Sequence, residues 1–326
     1  MDIAGKNILV TGGAGFIGSH LVDMLLKEDI AKVVVFDNFL RGSIHNLKHA
    51  LKDDRLELFE VKGGLTSIDE VNAATKDMDG VFHLASLSLP YCQDNPRSAI
   101  DVNIVGTFNL LDACINNSVK RIVFTSSSSV YGNAVYSPMD EKHPFEYRDI
   151  YAATKLAGEA LFRAHFFKYG IKYIALRFMN IYGPRLDYSG AYVAIIMKII
   201  DRLENNLSPI IYGDGSQSFD FVYVKDACRS LTLAMQSSRT CNEYNISSGI
   251  QFSILDVCNR IQKIMNKNIP IEFINKDEDK HLVTNRIGST EKAKNELDFE
   301  ITVQLEEGLK EVINWKASQS QFINTI

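Results

Sequence analysis

The chain is poor in residues that punctuate or staple a fold. Its 326 residues include only seven prolines, one tryptophan and five cysteines. With so little proline, no Pro/Gly/Ser-rich linker, internal repeat or low-complexity tract divides it. Cys92, Cys114, Cys228, Cys241 and Cys258 are scattered and odd in number. They form no CxxC pair and no zinc spacing, so they read as reduced thiols with no metal site. Charge of one sign is lacking too: 35 Lys and Arg against 40 Asp and Glu leave a net charge of -5. That excludes nucleic-acid binding through a dominant basic face. Long apolar runs are also missing. Stretches such as Tyr192–Ile200 are too short to span a bilayer and are broken by Lys198, so no membrane association is expected. Met1–Ile8 enters a strand-like run without the features of a targeting signal, which predicts a cytoplasmic protein.

What is present is an ordinary globular composition, 46% hydrophobic and 23% charged, which excludes disorder. The length suggests about two domains. In the first half, short apolar runs alternate with helical periodicity. Asn7–Val10, Val33–Phe36, Leu56–Glu60, Val81–Leu84 and Ile122–Thr125 have strand length. Gly18–Lys27, Ser67–Thr75 and Ser98–Asn116 repeat their apolar positions at helical spacing. Near-continuous apolar strands joined by helices predict an α/β fold, a Rossmann-type doubly wound parallel sheet. Beyond about residue 176 the pattern is less regular and predicts a smaller mixed α/β region. Ala191–Arg202, Ile254–Met265 and Val303–Trp315 read as helices there, Pro209–Tyr212 and Pro270–Phe273 as strands. Asn275–His281 reads as a polar surface loop, and Lys316–Ile326 as a loose tail.

Three motifs carry chemistry. Thr11–His20 (TGGAGFIGSH) follows a strand and opens a helix. Gly12 suits the tight turn, Gly15 the approach of a pyrophosphate, and Gly18 close helix–strand packing. The helix N-terminus then offers free N–H groups to phosphates. Asp37 stands 19 residues after Gly18, where a carboxylate binds the adenosine ribose and repels a 2′-phosphate, so NAD is favoured over NADP. Tyr151-Ala152-Ala153-Thr154-Lys155 places a phenol and an ammonium on one helix face. Bringing a phenol of pKa about 10 to near neutrality needs about 4 kcal/mol, which neighbouring positive charge supplies. Between these motifs, Thr125–Ser129 sets hydroxyls at the carboxyl end of a strand, where ligands bind in such sheets.

Together TGGAGFIG, Asp37-Asn38, His83-Leu84-Ala85, SSSSVYG, YAATK and RFMNIYGPR resemble the extended short-chain dehydrogenase/reductases, in particular the nucleotide-sugar epimerase/dehydratase group. The resemblance spans about residues 3–315. It implies NAD as cofactor, a nucleotide-sugar substrate, and Ser127, Tyr151 and Lys155 as catalytic residues. For the cofactor it implies Gly12, Gly15, Phe16, Ile17, Gly18, Asp37, Asn38, Leu84, Ala85, Asn103, Tyr151, Lys155 and Phe178. For the substrate it implies Ser127, Asn180, Arg185, Tyr192 and Gln217. It implies an NAD-binding domain of residues 1–176 plus about 219–250, and a substrate region of 177–218 and 251–326. It also implies a homodimer, pairing the helices around Ser98–Asn116 and Ala152–Tyr169 in a four-helix arrangement. Relatives that dehydrate or decarboxylate carry acids after the catalytic hydroxyl residue, where this chain has Ser128 and Ser129. This favours 4-epimerisation of a UDP-hexose or UDP-N-acetylhexosamine. A 4,6-dehydratase or 4-ketoreductase is the alternative, with a non-catalytic dinucleotide sensor more distant. Three departures stand out: Gly63-Gly64 for a Gly-Asp pair at the adenine, Phe219 for an arginine gripping the diphosphate, and no Asp near Gly288. With Phe219 unable to carry charge, either Arg185, Arg286 or another cation replaces it, or the substrate is not an ordinary UDP-hexose.

Overall fold

The computed structural model describes residues 1–187, 194–275 and 285–323. Chain order in the first half is β1 (Asn7–Thr11), α1 (Phe16–Leu25), β2 (Lys32–Phe36), β3 (Leu56–Leu58), α2 (Ile68–Thr75) and β4 (Gly80–His83). Then come α3 (Leu89–Asp94), α4 (Pro96–Ala99), a π-helical stretch Ile100–Val105, α5 (Gly106–Asn116), β5 (Arg121–Ser127), α6 (Ile150–Tyr169) and β6 (Lys172–Phe178). The second half holds β7 (Asn180–Tyr182), α7 (Ile195–Glu204), β8 (Ile210–Tyr212), β9 (Ser218–Tyr223), α8 (Val224–Gln236), β10 (Asn242–Ile246) and β11 (Gln251–Ser253). It ends with α9 (Ile254–Ile264), β12 (Glu272–Ile274), β13 (Asn285–Arg286), α10 (Glu291–Leu297) and α11 (Leu305–Ile323).

Seven strands form one parallel sheet in the order β10-β6-β5-β4-β1-β2-β3. Alternation along each strand explains its nearly unbroken apolar sequence. Ile8 and Val10 of β1, with Val33 and Val35 of β2, enter the core on one face. Leu9, Val34 and Phe36 enter the core on the other. A strand buried on both faces has no polar side. The expected doubly wound sheet is therefore present. The order reverses between β1 and β4, so the loops after those strands flank the cleft where ligands bind in this architecture.

The helices start where the sequence supplies a cap. Asp149 accepts the Ala152 N–H at 2.7 Å to open α6, and Gly170, in the left-handed region, closes it. Ser253 and Asp256 make a capping box on α9. The continuous helical run Pro96–Asn116 is apolar enough by length and composition to cross a membrane, and it is partly buried within the fold.

In the second half, β9 is flanked by β11 and β13 and also pairs with β7, while β8 and β12 pair separately. Asp220 of β9 binds this small sheet to the large one. Its buried carboxylate accepts from Ser247 Oγ at 2.5 Å, Ser248 N at 2.7 Å and Gly249 N at 3.0 Å, just after β10. The chain thus enters the small sheet at β7, returns to it at β9 and rejoins the large sheet at β10.

Two expectations are corrected. The stretch after Trp315 is not a loose tail within the described residues, because α11 continues to Ile323. Its Lys316 is 4% exposed and ion-paired with Asp201 at 3.0 Å and with Glu204. Those carboxylates lie far away in sequence, so charge at the chain end looked like solvation. The strand expected at Pro270–Phe273 is shifted to Glu272–Ile274. The loop expected at Asn275–His281 lies outside the described residues beyond Asn275.

A buried histidine joins β1, β4 and α5. His83 Nδ1 is 2.8 Å from Thr11 Oγ1, and its Nε2 is 3.0 Å from Thr107 Oγ1. Thr107 Oγ1 already donates to Asn103 O at 2.7 Å, so His83 donates to it from Nε2 and accepts from Thr11 at Nδ1. Burial, aided by the Lys155 charge, lowers its pKa to about 3. An unfolded histidine takes up its proton near pH 6.5, so the unfolded state binds more protons below that pH and stability falls with acidification. Urea unfolding at pH 6.5 and pH 5 should show about 1–2 kcal/mol lost through this residue. His83→Asn, which keeps a donor and an acceptor but gains no proton, should flatten that slope by the same amount. An unchanged slope would exclude His83 as its source.

Candidate active site

The glycine turn is shaped by close approach. Gly12 has φ +72°, and a Cβ there would lie 2.8 Å from Ala85 N. A Cβ on Gly18 would lie 2.1 Å from Gly12 O. Only glycine lets β1, the loop after β4 and the first turn of α1 meet this tightly. Gly15 is the N-cap of α1 and offers no side-chain cap. These residues open into a cleft of about 870 Å³ lined by Gly12, Gly15, Phe16, Ile17, Gly18, Asp37, Asn38, Leu84, Ala85, Ser127, Tyr151, Lys155 and Phe178. Asp37 accepts from Ala14 N at 2.9 Å and Phe39 N at 2.8 Å, and its burial raises its pKa. Two carboxylate oxygens bound once each retain lone pairs for further donors.

At the far end of the cleft stand the hydroxyl, phenol and ammonium. Ser127 ends β5, while Tyr151 and Lys155 lie on the first turns of α6. Lys155 Nζ donates to Thr125 O at 2.8 Å and Ser86 Oγ at 3.1 Å, and lies 5.6 Å from the centre of the Tyr151 ring. Burial pushes the Tyr151 phenol up to about 12, while hydrogen bonding to Ser127 draws it back down. The same burial brings Lys155 down to about 8. Burial thus opposes the charged form of each, and added positive charge by the phenol favours its phenolate.

The substrate-side candidates do not converge. Asn180 donates to Asp220 O at 3.1 Å within the small sheet, and Gln217 donates to Tyr212 O at 3.0 Å. Neither lines the cleft. Arg185 does, but its Nη2 is ion-paired with Asp23 of α1 at 2.5 Å. Tyr192 lies outside the described residues. Asn103, one of the cofactor candidates, is not among the residues that line the cleft. It is buried away from the cleft, accepting from Leu87 N at 2.8 Å and donating to Thr154 Oγ1 at 3.1 Å. Its side chain is spent on tying the loop after β4 to α6.

Phe219 packs in β9 with Phe252 opposite it on β11 and Arg286 aligned on β13. Arg286 reaches toward β5, its Nη1 3.5 Å from both Ser128 Oγ and Ser129 Oγ and its Nη2 3.5 Å from Gly132 O. Its Nε is buried without a partner. At Gly63-Gly64, both N–H groups donate to Glu70, at 2.8 and 3.1 Å. The expected adenine-contacting aspartate thus gives way to backbone held by a carboxylate one loop away.

Several residues were not singled out from sequence. Ser86 binds Lys155, and its place two residues after Leu84 at the end of a parallel strand was the available signal. Trp315 and Gln319 of α11 line the cleft beside Arg41 and His45. Arg41 pairs with Asp187 at 3.2 Å and His45 Nε2 meets Gln319 Oε1 at 3.2 Å. No local pattern connects these distant segments.

The chain matches the family described as NAD dependent epimerase/dehydratase over residues 8–247. It is similar to the UDP-N-acetylglucosamine 4-epimerase of Methanobrevibacter ruminantium, solved with UDP-N-acetylmuramic acid, at 34% identity and a TM-score of 0.91, covering 97% of this chain and 99% of that one. The UDP-glucose 4-epimerase of Thermotoga maritima, solved with UDP-glucose, is 29% identical with a TM-score of 0.89, covering 96% and 99%. UDP-glucuronic acid decarboxylase 1 of Arabidopsis thaliana is 30% identical over 94% of this chain and 69% of its own length.

The residues present fit a dinucleotide, since the approach of Gly12, Gly18 and Ala85 leaves backbone where a pyrophosphate lies. Gly18→Ala should therefore strip the bound dinucleotide, read as loss of its absorbance from the purified protein. It should also lower stability by about 1–3 kcal/mol through overpacking. Full retention of the dinucleotide would show that the close approach is dispensable.

Proposed function

The chain belongs to the NAD dependent epimerase/dehydratase family, and from that premise we propose that it is a nucleotide-sugar 4-epimerase acting on a UDP-linked sugar. The observation that carries this is the set at the end of β5 and the start of α6: a hydroxyl, a phenol and an ammonium, followed at Ser128 and Ser129 by hydroxyls and no carboxylate. Such a set moves a proton at one hydroxyl, and it lacks the placed acid and base that eliminating water requires. The 4-epimerase relatives named above support a UDP-sugar as substrate.

NAD, the family's cofactor, supplies reversible hydride acceptance when bound. Gly12, Gly15 and Gly18 would hold its pyrophosphate, Asp37 its adenosine ribose, and Lys155 its nicotinamide ribose. In this reading Tyr151 takes the proton of the C4 hydroxyl and later returns it. Ser127 holds that hydroxyl and steadies the phenol. Lys155, fixed by Thr125 O and Ser86 Oγ, keeps a positive charge beside the phenolate. The 4-keto sugar then presents its opposite face for reduction. A 4-ketoreductase would consume NADH in net amount, whereas an epimerase leaves it constant.

We place pairing with a second copy on the exposed apolar side of the helical run Pro96–Asn116, where Ile100, Val105 and Phe108 are 39%, 44% and 42% exposed. Phe108→Glu should shift light scattering from dimer to monomer, and an unchanged mass would move the interface elsewhere.

Tyr151→Phe should cut turnover about 10²- to 10⁴-fold while NAD stays bound. Product analysis by nuclear magnetic resonance should show a C4 epimer with no net change in NADH. Near-normal turnover of the variant, or a product short of water or carbon dioxide, would overturn the reading.

A further inference from the structure

The inference rests on the 4-epimerase reading, in which the dinucleotide that takes a hydride must stay to return it, and concerns what keeps it there. The cleft has two walls from distant parts of the chain. One is the loop after β2, which contributes Asp37, Arg41, Ser43, His45 and Asn46. The other is built from Leu186 and Asp187 after β7 and from Trp315 and Gln319 of α11. Two contacts join the walls. Arg41 Nη2 pairs with Asp187 Oδ2 at 3.2 Å, and His45 Nε2 donates to Gln319 Oε1 at 3.2 Å.

Each wall is held from behind. Ala14 O, in the glycine turn, accepts from Ser43 N at 3.0 Å and from Asn46 Nδ2 at 2.9 Å. Ser43 Oγ accepts from His45 N at 3.2 Å and caps the short 3₁₀ turn Ile44–Leu47 that carries His45. On the opposite wall, Lys316 pairs with Asp201 of α7 at 3.0 Å. Glu311 accepts from Tyr223 Oη and, at 2.9 Å, from Lys225 Nζ. Trp315 packs against the core, so α11 is seated before it meets the cleft. The joining contacts are of another kind. Arg41 and Asp187 keep 38% and 41% side-chain exposure, which makes their pair weak and open to screening by salt. Firm walls joined by weak contacts part at those contacts, without unfolding of either wall. We propose that Arg41 with Asp187, and His45 with Gln319, form a two-point clasp across the dinucleotide cleft that sets how long the bound dinucleotide stays. Opening of such a closure governs release of what lies behind it.

The release rate of the dinucleotide tests this without any sugar. Protein loaded with NADH is mixed with excess NAD, and the loss of bound NADH fluorescence gives the rate. His45→Ala and Asp187→Ala should each speed release a few-fold, and together about 10-fold, with the urea midpoint unchanged. His45→Gln keeps an amide that donates to Gln319 and should release like the unmodified protein. Added salt should speed release from the unmodified protein more than from Asp187→Ala, because it screens the Arg41 pair. Unchanged release from the double variant would overturn the proposal. So would His45→Gln releasing as fast as His45→Ala, since the hydrogen bond to Gln319 would then be irrelevant. Gln319→Ala breaks the same contact from the other wall and should speed release a few-fold, which keeps the test open where the double variant does not fold. The two readings fail separately. Faster release from the variants of a protein that forms no C4 epimer overturns epimerisation and leaves the clasp. A C4 epimer formed with release unchanged in every variant does the reverse.

Discussion

One buried ion pair holds the helix of Tyr151 and Lys155 against the sheet. Glu159 lies one turn beyond Lys155 on the same face of α6 and takes both Nε and Nη2 of Arg177 from β6. Ser126, adjacent to Ser127, donates to the same carboxylate at 2.5 Å. Arg177 Nη1 binds Tyr131 Oη at 2.8 Å, and Tyr131 binds Asn245 of β10 at 2.8 Å. One charged cluster thus fixes α6, β5, β6, β10 and the loop after β5 together. Removing one partner of such a pair leaves a buried charge, a loss of about 3–5 kcal/mol. The separation of Ser127, Tyr151 and Lys155 is therefore set from beneath, chiefly by Glu159 and Arg177, which do not line the cleft.

Burial gives that arrangement its electrical character. It raises the phenol of Tyr151 and lowers the ammonium of Lys155, so each alone resists the charge that proton transfer asks of it. The oxygens of Thr125 and Ser86 favour the charged lysine, and the Ser127 hydroxyl favours the charged tyrosine. The Asp-free sequence at Ser128 and Ser129 adds no negative charge nearby. An acid there would raise the phenol further, so its absence serves proton transfer at C4 as well as disfavouring elimination.

The large sheet was legible because every strand buried on both faces must be apolar throughout, as Leu9 and Val10 of β1 show by entering opposite cores. The glycine turn was legible because its spacing reflects contacts within one βα unit. What escaped reading depends on partners remote in sequence. Glu159 and Arg177 look like surface charges until α6 lies on β6. Lys316 looks like a solvated tail until Asp201 and Glu204 meet it. Asp220 carries no motif, yet it joins the turn after β10 to β9. The contacts of Asn103 escaped for the same reason: its amide meets Leu87 and Thr154, which no pattern in its own segment reveals.

The two sheets divide the chemistry from the choice of ligand. Ser127, Tyr151, Lys155 and the glycine turn stand on the large parallel sheet and its helices, bound by the Glu159 cluster. Phe219 and Arg286 stand side by side on the small sheet, and Asp220, between Phe219 and Phe221, anchors that sheet through backbone N–H groups. A change of side chain at the position of Phe219 leaves the Asp220 anchor in place, because neighbouring residues of a strand face opposite ways. Charge can thus be lost from β9 and retained on β13 without disturbing either sheet. The site then changes in what it attracts while the proton-transfer geometry stays fixed, because among the described residues Glu159 and Arg177 take their hydrogen bonds from outside the small sheet.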